Sequence, residues 1–86
     1  MPTLLYKPSF LRSLKKLSPE LLAEAKEKIS LFQQDPKHSF LKTHKLKGKL
    51  AGKFSFSVNY QYRIVFEYEK NDHAVLLGIG DHDIYK

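Results

Sequence analysis

The spacing of apolar positions changes twice along the chain. Thr3 to Tyr6 is a short apolar run and reads as a first strand, after which Pro8 permits a helix start. Phe10, Leu11, Leu14 and Leu17 then recur at helical spacing, while Arg12, Lys15 and Lys16 fall elsewhere. Ser18-Pro19 is a restart signal, with Ser as N-cap and Pro at the first helical position. The second helix carries Leu22, Ala25, Ile29 and Phe32 at spacings of three and four, with Glu24 and Lys28 as an i,i+4 pair on its wet side. Asp35-Pro36 ends it. The pattern predicts a hairpin of two short amphipathic helices, neither stable until a sheet covers its apolar stripe.

Residues 37–53 are polar, basic and glycine-containing, and read as a loop. The period then becomes two. Phe54, Phe56 and Val58 alternate with Ser55, Ser57 and Asn59; Tyr62, Ile64, Phe66 and Tyr68 alternate with Arg63, Val65, Glu67 and Glu69. Asn71-Asp72 is a turn signal, and His73 to Ile79 reads as the last strand. Three strands in succession predict an antiparallel meander, so the whole chain reads as one α+β domain, residues 1–86, in the order β-α-α-β-β-β. The helical hairpin is expected on one face of a mainly antiparallel sheet.

Register follows from the alternation. If Phe54, Phe56 and Val58 share the helix-covered face with Phe66, Ile64 and Tyr62, the connection is Asn59-Tyr60-Gln61. Ser57 then lies across from Arg63, and Ser55 across from Val65. Arg63 is thereby expected to project onto an open sheet face, either serving function or pairing with Glu67 two residues along.

Composition narrows the class of partner. The 86 residues carry a net charge of +6, and all basic residues but Arg12 and Arg63 are lysines. Such a balance suits an anionic partner, whether nucleic acid, acidic protein or membrane surface, or else a solvated lysine surface. With no cysteine there is no disulfide framework or thiolate zinc site. Met1 to Phe10 has no apolar core of a signal peptide, and the longest apolar run, Ala74 to Ile79, is strand-sized. A cytoplasmic protein with no membrane role is expected.

The polar residues include groups suited to cutting RNA. Metal-independent cleavage needs a base for the 2′-OH, cationic donors for the transition state and an acid for the leaving 5′-oxygen. His82 is the first candidate for proton transfer, flanked by Asp81 and Asp83, either of which can orient the imidazole. It reads equally well as a surface histidine at a chain end. Arg63 suits a phosphate, because its planar fork reaches two oxygens at once. Tyr85 can stack on a base or cap the core. His44 opens the basic loop, whose Lys45, Lys47, Lys49 and Lys53 are candidate phosphate contacts or solvated side chains. His38 and His73 read as structural or surface residues. No spacing marks a metal site, and Gly48 and Gly52 do not make a P-loop.

Three segments carry a family resemblance: the loop His44-x-Leu46-x-Gly48-x-x-x-Gly52, the Tyr62-Arg63-Ile64 step and the ending Gly80-x-His82. Together they resemble the RelE/ParE superfamily of toxins from type II toxin–antitoxin pairs, most of all the YafQ-like mRNA interferases, and the likeness spans nearly the whole chain. The resemblance implies the RelE-like fold and mRNA cleavage, with the ribosome as the site of action. It implies catalytic roles for His44 and His82, the second as general acid, a phosphate contact for Arg63 and base stacking for Tyr85. It implies a cognate antitoxin as partner, with operator DNA bound only through the antitoxin complex, and no cofactor. Two lysines of RelE correspond to Ser55 and Ser57 here, and a His and an Asp of YafQ correspond to Ser57 and Gln61. The general base is thus left among His44, Lys53 and an aspartate beside His82. Two other readings share the fold: a ParE-like inhibitor of DNA gyrase, and a weakened toxin that binds antitoxin. The cleavage reading expects His82→Ala and Arg63→Ala each to abolish toxicity and leave the fold intact.

Overall fold

The structure, a computed structural model, describes residues 2–70 and 72–81. In chain order it contains β1 (Thr3–Tyr6), α1 (Pro8–Lys15), α2 (Pro19–Gln34), β2 (His44–Lys45), β3 (Phe54–Ser57), β4 (Tyr62–Glu69) and β5 (His73–Asp81). Short 3-10 turns occupy Ser39–Leu41 and Gly48–Leu50. The five strands form one sheet in the order β1-β5-β4-β3-β2. All its pairs are antiparallel except β1 with β5.

Local signals act as expected at the helix ends. Ser18 caps α2 by accepting from the Leu21 N–H at 3.2 Å, and Pro19 occupies the first helical turn. Asp35 closes α2 before Pro36. Arg12 and Lys15 lie in the last turn of α1, where cations suit the carbonyl end of the helix.

The two helices cover one sheet face. Phe10, Ala25 and Phe32 are fully buried there with Phe56, Val58, Ile64, Phe66, Ala74 and Leu76. Phe32 is the pivot: its ring stacks on Phe56 and meets Phe66 edge-on, both with centroids 4.7 Å apart. Two residues depart from the expected stripes. Leu11 is 45% exposed, because it lies about 100° round the helix from Phe10. Leu21, rather than Leu22, packs against the core. Glu24 and Lys28 do not form the expected pair with each other. Lys28 donates to the Val58 carbonyl at 3.1 Å, and Glu24 accepts from the Asn59 side chain at 3.1 Å. Both reach the β3–β4 turn and tie α2 to it.

The β3–β4 register is as the alternation predicts: Phe54 pairs Phe66, Phe56 pairs Ile64, Ser55 pairs Val65 and Ser57 pairs Arg63. The β4–β5 ladder carries an irregularity at Val65/Phe66, beyond which Gly78 faces Val65 and Gly80 faces Arg63. The expected loop over 37–53 is more ordered than its composition suggests. Leu41 is fully buried in the main core, Leu46 is nearly buried, and His44–Lys45 adds a fifth strand to the edge of β3.

Candidate functional site

The face opposite the helices is not open at its centre. Alternation places Ser55, Ser57, Arg63, Val65 and Glu67 on that face. Ser55, Arg63 and Val65 are at most 5% exposed. Arg63 therefore does not project into solvent as the sequence led us to expect, and it does not pair with Glu67.

Its side chain lies back across β3. Nε donates to the Ser55 hydroxyl at 2.8 Å, and Nη2 donates to the Lys42 carbonyl at 2.6 Å and the Ser55 carbonyl at 3.1 Å. Among the described residues, no carboxylate pairs with it. Burial lowers the guanidinium's pKa from its ordinary value, yet a guanidinium stays protonated far above neutrality. Among the described residues, none accepts a hydrogen bond from Nη1. The result is a charged fork of fixed orientation.

The chain just before β2 completes the cradle. Lys42 caps the 3-10 turn at Ser39–Leu41 with φ 47° and ψ 49°. A non-glycine residue held in the left-handed region costs roughly 1 kcal/mol, and here that conformation accompanies the delivery of a carbonyl to Arg63. Sequence reasoning missed both Lys42 and Ser55 as holders of Arg63. The derived register already placed Ser55 on Arg63's face, and that was the available signal.

His44 pairs with Ser55 across the β2–β3 ladder, which puts it on the same face as Arg63 and about 10 Å away laterally, two strand spacings from β4. It is exposed. Lys53, two residues before Ser55, has its ammonium 3.9 Å from the Glu67 carboxylate. Lys45, Lys47 and Lys49 are exposed around the Gly48–Leu50 turn. That turn is bracketed by Gly48 at φ 66° and Gly52 at φ 89°, where a Cβ would meet no neighbour but the backbone itself disfavours any L side chain. Arg63, His44 and Lys53 thus share one face, while Lys45, paired with Phe54, alternates to the other and Lys47 and Lys49 lie in the turn beyond β2. Asp81, at the end of β5, accepts from the Gln61 amide at 3.4 Å. His82, Asp83 and Tyr85 lie outside the described residues. His38 is structural, its Nδ1 accepting from the Phe40 N–H at 3.1 Å.

Among the described residues, no group of three or more His, Cys, Asp or Glu side chains is placed to hold a metal ion. No described helix is long and apolar enough to cross a membrane.

A family profile described as a RelE-like toxin of the type II toxin–antitoxin system HigB matches residues 12–82. Among solved structures, YafQ from Escherichia coli superposes with a TM-score of 0.78 at 14% identity, covering 98% of this chain and 97% of its own. The toxin–antitoxin complex RelBE2 from Mycobacterium tuberculosis matches with a TM-score of 0.77 at 25% identity, covering 95% of this chain and 100% of the matched one. The YoeB–YefM complex from Staphylococcus aureus matches with a TM-score of 0.73 at 17% identity, over 95% and 98%. Comparison with curated protein sequences gave no match.

Proposed function

The chain belongs to the HigB-like family of RelE-like toxins of type II toxin–antitoxin systems, and from that footing we propose that it is a metal-independent endoribonuclease that cleaves mRNA on the ribosome and so stops translation. The observation that carries the reading is the Arg63 fork. It is held by neutral acceptors, retains its full charge, has no partner for Nη1 among the described residues, and shares its face with His44 and Lys53.

In this mechanism a base removes the proton of a ribose 2′-OH. The oxygen attacks the adjacent phosphorus, the P–O5′ bond breaks, and an acid protonates the departing 5′-oxygen, leaving a 2′,3′-cyclic phosphate. Arg63 stabilises the charge that builds on the phosphoryl oxygens. Its orientation is already set, so little reorganisation is left for the transition state. His44 is the base that shares Arg63's face, with Lys53 as its substitute and Asp81 or Asp83 beside His82 as the remaining choice. His82 is assigned the acid and Tyr85 a stacking role. Lys45, Lys47 and Lys49 hold flanking phosphates, which positions RNA without reading sequence. Neutralisation is assigned to an antitoxin with an acidic segment that folds on this basic surface, as RelBE2 and YoeB–YefM are complexes of toxin with antitoxin. Operator DNA is reached only through that complex, and the site of action is the cytoplasm.

Primer extension on a reporter mRNA in a reconstituted translation system, with and without ribosomes, tests the reading. Breaks at defined codon positions that disappear with His82→Ala and His44→Ala support it, and the ribosome-free arm reports ribosome dependence. Intact mRNA from a protein that still arrests growth sinks it in favour of a gyrase-directed inhibitor, and intact mRNA without growth arrest leaves a toxin that binds antitoxin alone.

A further inference from the structure

Two aromatic rings stand far out of the surface beside Arg63: Phe40 is 69% exposed and Tyr60 is 94% exposed. They line one depression of about 300 Å³, together with Lys28, Lys42 and Ser57. That volume is at the low end for small-ligand sites, which run from about 300 to 1,000 Å³. Two of its lining residues flank Arg63. Ser57 is the cross-strand partner of Arg63, and the Lys42 carbonyl accepts from its Nη2.

Both rings are presented from stiffened turns. Tyr60 sits at the apex of the β3–β4 connection, where the Asn59 side-chain oxygen accepts from the N–H groups of Gln61 and Tyr62, each at 2.8 Å. Ser57 donates its hydroxyl to the Asn59 carbonyl at 2.7 Å. Phe40 sits in the 3-10 turn capped by His38, whose ring also packs edge-on against it at 4.8 Å. A large ring left in water on a rigid turn loses little conformational entropy when a partner arrives. The lysines add positive charge beside the rings, and Lys28 uses one N–H on the Val58 carbonyl.

We infer that Phe40 and Tyr60 form a stacking clamp for a base of single-stranded RNA, next to the phosphate held at Arg63. The inference rests on the reading of this chain as an RNA-acting toxin, and adds to it a subsite that sets where the strand lies. Flat aromatic faces accept any base, and neighbouring ammonium groups take the flanking phosphates. A protein segment would be served by a continuous apolar groove; here the rings share their lining with two lysines, a serine and an asparagine.

The test is binding without turnover. A fluorescein-labelled 2′-O-methyl oligoadenylate lacks the attacking hydroxyl, so fluorescence anisotropy reads affinity alone. Tyr60→Ala and Phe40→Ala should each weaken binding roughly tenfold. Tyr60→Phe should bind as the wild type does. The slope of log Kd against log salt should stay unchanged in all three, because no phosphate contact is lost. Alanine variants that bind as the wild type does overturn the inference, as does a wild type that fails to bind at millimolar concentration. Loss of antitoxin affinity with RNA affinity intact also overturns it, and assigns the rings to a protein partner. A wild type that holds the oligonucleotide through these rings but leaves reporter mRNA uncut supports the clamp and sinks the nuclease reading separately.

Discussion

Arg63 donates from Nε to the Ser55 hydroxyl at 2.8 Å, one strand away on the face opposite the helices. The anchor is neutral, and that choice has consequences. A carboxylate at position 55 would hold the guanidinium as firmly but cancel its charge. A hydroxyl and two carbonyls fix the fork's direction and leave the charge for an anion arriving from outside.

Ser55→Ala should therefore reduce both stability and activity. The buried hydroxyl accepts a hydrogen bond from a charged donor, and such bonds contribute about 1.5–3 kcal/mol. Urea denaturation should show a lower midpoint with an unchanged slope. An unchanged midpoint would mean that the Lys42 and Ser55 carbonyls hold Arg63 by themselves.

Arg63→Ala is a poorer test of catalysis than its sequence position suggested. Removing a buried side chain that satisfies two carbonyls and a hydroxyl should cost at least about 2 kcal/mol. Lost toxicity in this variant would therefore not by itself separate a catalytic role from a cost to the fold. Arg63→Lys keeps the charge and loses the fork, so it should lose activity. Thermal unfolding run beside the growth-arrest assay separates the two effects, and His44→Ala, at an exposed position, should abolish cleavage with the melting temperature unchanged.

The elements legible in the sequence are those set by local chemistry. Ser18-Pro19 and Asp35-Pro36 mark the ends of α2 because caps act within a turn. The β3–β4 register was readable because a slip of one residue would turn Phe56 and Ile64 out of the core. What escaped was set at a distance. Strand β2 has only two residues and no period of its own. Its place depends on Leu41 and Leu46 being drawn under cover, and a stretch read as polar loop hid both. The burial of Arg63 followed the same course, since the Lys42 carbonyl that receives it lies 21 residues away in the chain. Tyr60 looked like an ordinary turn residue, because alternation says nothing about a side chain at the tip of a hairpin.

Tyr68 gives the alkaline limb of stability a sign. Its pKa is raised from the ordinary 10.0, first by burial and then by the Asp72 charge. The folded state holds the phenol proton more tightly than the unfolded state does. Stability is then full below about pH 10 and falls as pH rises through the folded value. Tyr68→Phe should flatten that decline in denaturation curves measured on either side of pH 10, and leave the curves near neutrality unaltered. A decline of the same steepness in the variant would place its origin at another group.

The Lys53–Glu67 pair offers a graded test of the proposed RNA path. The groups are 3.9 Å apart and each is one-third exposed, so solvent screens them and the pair adds at most about 1 kcal/mol to stability. Its effect on RNA should be larger than its effect on folding. Glu67 places a negative charge on the face that carries Arg63 and holds back Lys53. Glu67→Gln should tighten binding of a 2′-O-methyl oligoribonucleotide while changing stability by less than about 0.5 kcal/mol. Lys53→Gln should weaken binding and make the salt dependence shallower by about 0.7 in the log–log slope, the value for one lost phosphate contact on a single strand. The double variant should share the slope of Lys53→Gln, because Glu67 acts through that lysine. If the slope of Lys53→Gln equals that of the wild type, RNA does not pass over the start of β3. His44, paired to Ser55 at that same edge, would then lose its claim as the base, and the choice would move to the aspartates beside His82.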